Sequence, residues 1–314
     1  MQVTQEEACQ LLYQGKVVAI PTETVYGLAA SLSNLEAIEK IYQIKGRPSD
    51  NPLIIHLAES AQIAFFIKDR PPGFETLASS YWPGPMTLVV PVEKEWVPEI
   101  VRAGLDTVAF RVPSHPSTLQ VLSKVGPLVM PSANISGRPS ATCVEHVEAD
   151  FGRDFPVLNG GRALRGLEST ILTYRKNRWD IIRLGALSAE MFEPLLGYLP
   201  QYVGPSVGSK PLCPGQNYQH YAPETTLILD PEVSPESIGT VVGFSNRNYP
   251  ASCRLFALGP INSPSEVAKN FYHVLRQLDE NKVERAWVDT DFPEKEGLWA
   301  TISERLKKAS SVKE

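Results

Sequence analysis

Six short clusters of cationic, hydroxyl and amide residues carry the chemistry legible in this 314-residue chain. The first is Lys45-Gly46-Arg47-Pro48-Ser49-Asp50-Asn51-Pro52, with His56 just beyond it. Two cations around one glycine suit an anion. The glycine lets backbone approach, and the guanidinium can make a forked contact to phosphate oxygens. As plain structure, the same residues are a helix end with Lys45 placed favourably at the negative end of the dipole. The P-loop glycine spacing and its Lys-Ser/Thr ending are absent. The second cluster is Pro131-Ser132-Ala133-Asn134-Ile135-Ser136-Gly137-Arg138-Pro139-Ser140. Turn-forming tendency accounts for its glycine and prolines but not for its density of polar side chains. The third is Pro21–Gly27, with Thr22 and Thr24 on one face if a strand continues there, or solvated on an edge. Arg111–Pro116, Gly166–Thr170 and Arg183-Leu184-Gly185 complete the set. Most stand at predicted strand ends, where α/β folds place ligands, and they offer arginines and hydroxyls with little acid. An anion-rich substrate is the economical explanation.

Other chemistries lack their constellations. His56, His115, His146, His220 and His273 have no metal spacing such as H-E-x-x-H. No serine or cysteine sits in a nucleophile elbow. Cys9, Cys143, Cys213 and Cys253 form no C-x-x-C pair, which argues against a zinc ribbon and for reduced thiols. The net charge of −5 excludes a whole-surface basic field for nucleic acid.

The elements that position these clusters read as α/β. Thr4, with Glu7 three residues later and Gly15 after the apolar run, predicts a capped helix. Residues 34–44 have helical spacing of apolar residues. Strands are predicted at 16–20, 52–57, 86–92, 107–112, 128–130, 169–174 and 179–184. Length favours two units, here a first over 1–198 and a second over 223–314. In the second, strands are predicted at 226–229, 240–244, 255–258 and 286–288, with helices over 265–279 and 298–308. It is a small α/β unit the size of a nucleotide-binding half-fold, without the G-x-G-x-x-G of a dinucleotide site. Between them, 199–222 reads as a linker. Leu199 to Tyr221 holds seven Pro or Gly in 23 residues, yet also Tyr218, His220 and Tyr221, which a solvated spacer does not need. It is expected to fold back as a lid. No secretory or membrane-spanning segment is evident, so cytoplasmic location is expected.

The clusters, in this order and together with Tyr81-Trp82-Pro83-Gly84-Pro85 and His220-Tyr221-Ala222-Pro223, resemble the long form of the threonylcarbamoyl-AMP synthase family. The resemblance implies a twisted mixed-sheet YrdC-type domain with a concave basic cavity, followed by the linker and a small Rossmann-like domain. It implies threonine-side roles for Thr24, His56, Arg111 and Ser169. It implies nucleotide-side roles for Lys45, Arg47, Asn51, Thr107, Met130, Ser132, Asn134, Ser140, Arg183 and Tyr221, with Lys45, Arg47, Ser132 and Asn134 as the catalytic tetrad. ATP, L-threonine and bicarbonate are the implied substrates. Mg²⁺ is held mainly by the ATP phosphates, with no protein metal ligand. A transient contact with the tRNA threonylcarbamoyl transferase is implied, and no membrane or stable nucleic-acid binding. Leu184, Gln219 and Trp299 depart from common family residues outside the tetrad. An RNA-binding module and a carbamoyl-transferring maturation enzyme are the rival readings. The acidic pI opposes the first, and the missing zinc-binding cysteine pairs oppose the second.

Overall fold

A computed structural model describes residues 1–204 and 221–310. The first unit opens with β1 (Gln2–Val3), α1 (Gln5–Tyr13), β2 (Val18–Ile20), β3 (Gly27–Ser31), α2 (Leu35–Lys45) and β4 (Ile54–His56). It continues through α3 (Phe74–Tyr81), β5 (Met86–Pro91), α4 (Glu99–Arg102), β6 (Thr107–Arg111), α5 (Pro116–Val125) and β7 (Leu128–Val129). It ends with α6 (Val144–Phe151), β8 (Val157–Leu158), β9 (Thr170–Arg175), β10 (Arg178–Arg183) and α7 (Glu193–Leu196). The strands form one mixed ten-stranded sheet, ordered β1-β8-β2-β3-β7-β4-β6-β5-β9-β10. The expected capping box is present: the Thr4 hydroxyl accepts from the Glu7 amide, and Glu7 accepts from the Thr4 amide. Asn34 caps α2 through the Ala37 amide, and Gly46 ends that helix in the left-handed region at φ 58°.

The second unit contains β11 (Thr226–Ile228), α8 (Pro235–Ile238), β12 (Thr240–Phe244), β13 (Arg254–Gly259), α9 (Pro264–Glu280), β14 (Arg285–Val288) and α10 (Gly297–Ser310). Its sheet, ordered β11-β14-β12-β13, is parallel throughout. The apolar core of this unit continues into the first, because Val25, Leu167 and Tyr221 belong to the same buried cluster as Phe271, Tyr272 and Ile302. The join reaches backbone contact. A Cβ added to Gly166, whose φ is +72°, would lie 2.5 Å from the Ala268 carbonyl oxygen of α9. Only glycine fits that seam.

The predicted linker is partly described. Residues 201–203 bridge to Ile181 on β10, with the Ile181 amide donating to the Gln201 carbonyl and the Val203 amide to the Ile181 carbonyl. At the far end Tyr221 and Ala222 are buried, and the Ala222 amide donates to the Gly137 carbonyl. The lid expected of the intervening stretch, including Tyr218 and His220, lies outside the described residues.

Candidate active site

The strand ends converge on one cleft. Its lining includes Thr24, Arg47, Ile54, His56, Arg111, Met130, Ser132, Asn134, Arg138, Ser140, Glu168, Ser169, Arg183 and Tyr221. Four arginines and one carboxylate line it; Arg111 is paired with Glu23, and Arg138 with Asp150 and Glu224, outside the lining.

One end is built around Arg111. This side chain closes β6, donates to Glu23 Oε1 at 2.6 Å and, through Nε, to the Gly84 carbonyl at 3.2 Å. The other Glu23 oxygen accepts from the Ser114 amide. Burial pushes the Glu23 carboxyl up, but the Arg111 guanidinium and these hydrogen bonds hold it below its ordinary value, so the pair stays ionised. Glu23 is a positioning residue that reading the sequence left without a role. Its signal was its place between two threonines after a strand. That segment is an irregular turn, not a strand: Thr22 and Thr24 are buried, their hydroxyls are 2.7 Å apart, and Thr22 donates to the Val25 carbonyl.

His56 closes β4 beside Arg111. Its Nδ1 lies 3.2 Å from the Ile54 carbonyl oxygen, which fixes the proton on Nδ1 and leaves Nε2 an acceptor. Burial, then Arg111 and Arg183, pulls its pKa down to about 3. The ring is therefore neutral at working pH. Ser169 meets the Thr87 hydroxyl at 2.7 Å, and its carbonyl and hydroxyl both accept from Arg183 Nη2 at 2.9 Å.

The other end is the loop after β7, with Lys45 packed beneath it. Lys45 is not among the cleft-lining residues; it lies behind the wall, 2% exposed. Its Nζ donates to the Ser132 carbonyl at 2.5 Å and to the Asn134 carbonyl. Its own carbonyl accepts from the Ser136 amide. Burial, with Arg47 nearby, holds its pKa well below the ordinary value. These contacts tie Lys45 to the loop that carries Ser132 and Asn134. Arg47 does line the cleft, braced by donation from Nη2 to the Pro52 carbonyl at 2.8 Å. Asn134 donates through Nδ2 to the Ile135 and Arg138 carbonyls, while its Oδ1 is buried without a partner. Such an orphaned acceptor in a cleft is a place for a substrate donor. Asn51 is buried with its Oδ1 likewise unpartnered, outside the lining. Thr107 stands at the opposite end of β6 from Arg111, also outside the lining.

Among the described residues, Cys143, His146 and His273 are the group with metal-binding side chains in mutual reach. Their protonation pattern argues against an ion. The Thr142 amide donates to His146 Nδ1, so the His146 proton is on Nε2, and it points to His273 Nδ1 at 3.1 Å. A metal would need that Nε2 lone pair.

Two histidines held neutral by burial, His56 and His146 (pulled to about 2), give a pH prediction. Below the ordinary value of 6.5 the unfolded chain takes up protons that the folded chain refuses. Stability therefore falls on acidification from pH 6.5 towards 3, by about 1.4 kcal/mol per histidine per pH unit. Urea unfolding should show a loss of about 4 kcal/mol between pH 7 and 5. His146→Asn, whose Oδ1 can still accept from the Thr142 amide, should roughly halve that slope; an unchanged slope would refute the assignment.

An arginine-lined cleft at the strand ends of a mixed sheet, with its polar groups preset by backbone contacts, has the make-up of a binding site for a small polar molecule. The family model described as "Telomere recombination" (Sua5/YciO/YrdC) matches residues 10–185, and the one described as "Threonylcarbamoyl-AMP synthase, C-terminal domain" matches 187–311. The threonylcarbamoyl-AMP synthase of Bacillus subtilis (strain 168) is 38% identical, over 97% of this chain and 92% of that protein. That of Pyrococcus abyssi is 36% identical, over 98% and 94%. The crystal structure of P. abyssi Sua5 complexed with L-threonine superposes with a TM-score of 0.89 at 35% identity, covering 99% of this chain and 97% of that one. The chain belongs to the threonylcarbamoyl-AMP synthase family, in its two-domain form. No helix among the described residues is long and apolar enough to cross a membrane.

Proposed function

We propose that this chain joins L-threonine, CO2 from bicarbonate, and ATP into threonylcarbamoyl-AMP, releasing pyrophosphate, for threonylcarbamoyladenosine formation in tRNA. The observation that carries this is one cleft with two differently built ends: neutral His56 beside the Arg111–Glu23 pair at one, Arg47, Ser132 and Asn134 at the other. Arg111 takes the threonine carboxylate, and His56 Nε2 accepts from its hydroxyl. The amine adds to CO2, forming the N–C bond and releasing a proton. A carbamate oxygen then attacks the α-phosphorus, the bond to the bridging oxygen breaks, and pyrophosphate leaves. Arg47 and Arg183 offset the charge that develops there. Magnesium would be held mainly by the ATP phosphates and would supply charge neutralisation there. The cleft suits that arrangement because Glu168, the carboxylate in its lining, has both oxygens engaged. No covalent enzyme intermediate is required. The activated product is expected to pass by transient contact to the tRNA-modifying transferase in the cytoplasm.

The test is pyrophosphate release, which should need ATP, threonine and bicarbonate together. Valine lacks the hydroxyl that His56 accepts, and a site that pairs a substrate hydroxyl rejects the analogue lacking it. Valine should support less than about a tenth of the rate. Release that ignores threonine, or equal rates with valine, would overturn the reading.

A further inference from the structure

The second unit sends two side chains to the cleft, and the residues they meet belong to its wall. Arg305 of α10 is fully buried. Its Nε donates to Glu168 Oε2 at 3.3 Å and its Nη2 to the Leu184 carbonyl at 2.6 Å, and Nη1 pairs with Glu304. The guanidinium carbon lies 4.6 Å from the centre of the Tyr221 ring. Tyr272 of α9 donates its hydroxyl proton to Glu168 Oε2 at 2.8 Å and stacks on Tyr221, ring centres 5.3 Å apart. The remaining Glu168 oxygen accepts from the Ser140 hydroxyl at 2.6 Å.

This arrangement has two effects on the cleft. The Ser140 proton is committed to Glu168, so Ser140 presents an oxygen lone pair, not a proton, to whatever occupies the cleft. Tyr221 sits at φ +69°, a strained backbone for a tyrosine, and its ring packs against both Tyr272 and Arg305. Without Arg305 and Tyr272, Glu168 would be a buried carboxylate beside the substrate, free to turn its lone pairs inward against an anion. We propose that Arg305 and Tyr272 are positioning residues for the nucleotide half of the site: they turn Glu168 away from the bound anion, fix the hydrogen-bond polarity of Ser140 and hold the Tyr221 ring as a wall. This rests on the nucleotide reading of that end of the cleft. It gives the second unit a part in the reaction without any contact with substrate.

The test uses the full-length chain and three conservative changes. Tyr272→Phe removes one donor to Glu168 and keeps the ring. Arg305→Lys keeps a charge but loses the fork that spans Glu168 and the Leu184 carbonyl. Thr301→Val is the control: Thr301 also crosses the seam, but its hydroxyl proton goes to the Gly185 carbonyl at 3.1 Å and not to Glu168. ATP binding is measured by calorimetry without threonine, alongside thermal unfolding and the separate KM values. Tyr272→Phe and Arg305→Lys should weaken ATP binding about tenfold or more and raise the KM for ATP in step, as loss of a hydrogen bond to a charged group does. The threonine KM should move less than about threefold. Thr301→Val should lower the melting temperature comparably and leave ATP affinity alone. Unchanged affinity in both test variants overturns the proposal, as does an equal loss in Thr301→Val, which would mark a general effect of the seam. Wild-type protein that fails to bind ATP would instead sink the nucleotide reading, and the proposal with it.

Discussion

Arg111→Lys should reduce kcat/KM for threonine by roughly a hundredfold or more, while ATP binding changes only a few-fold. The guanidinium does three things from one place. It neutralises buried Glu23, satisfies the Gly84 carbonyl and presents its remaining face to the cleft. An ammonium is a point donor and cannot span Glu23, a carbonyl and a substrate carboxylate together. Lysine keeps the charge, which matters because an uncompensated Glu23 at this depth would cost about 3–5 kcal/mol and threaten the fold. The loss is therefore of geometry, about 2–4 kcal/mol in transition-state binding. Glu23→Gln should fall in the same direction by less, since it leaves Arg111 charged but poorly held. Threonine kinetics within threefold of wild type in Arg111→Lys would contradict this picture.

Lys45→Met should be as damaging for a different reason. Methionine fills the volume but donates nothing, so the Asn134 carbonyl loses the donor that Lys45 supplies and the Ser132 carbonyl keeps only the Asn134 amide. Each unpaired buried carbonyl costs about 1–3 kcal/mol. The loop will relax to hydrate them, and Ser132 and the orphaned Asn134 Oδ1 will leave their places in the cleft. Turnover should drop about a hundredfold or more with the global fold retained. Hydrogen exchange should report faster opening of residues 132–137. A direct phosphate contact by Lys45 predicts slow turnover with the loop still protected, so the exchange measurement separates the two roles.

Much of this site was legible because its residues cluster locally. Lys45 to His56 and Pro131 to Ser140 are short stretches whose polar density exceeds what a turn needs, and strand ends bring them together. The direction of a side chain was not legible. Nothing in the order Lys45-Gly46-Arg47 says that the glycine, ending α2, sends Arg47 to the cleft and leaves Lys45 behind the wall. β3 was missed because Gly27-Leu28-Ala29-Ala30-Ser31 is made of small residues with weak strand preference. The space at the first of them is tight: a Cβ on Gly27 would come within 3.2 Å of Met130 across the sheet. Arg305 and Tyr272 were illegible for a plainer reason. They stand more than a hundred residues from Glu168, and on a helix a buried arginine or tyrosine carries no mark of what it meets.

The seam at Gly166 bears on how such a protein can be inherited. Ordinary two-domain chains meet through side chains, so either partner can drift, be swapped or be lost while the other adapts. Here backbone rests on backbone, and the glycine that permits it lies two residues before a carboxylate whose donors include two side chains from the other half. The halves cannot be shuffled as interchangeable modules. A recombinant that joined this first half to a foreign second half would need a donor pair in the same place and the same room beside Gly166.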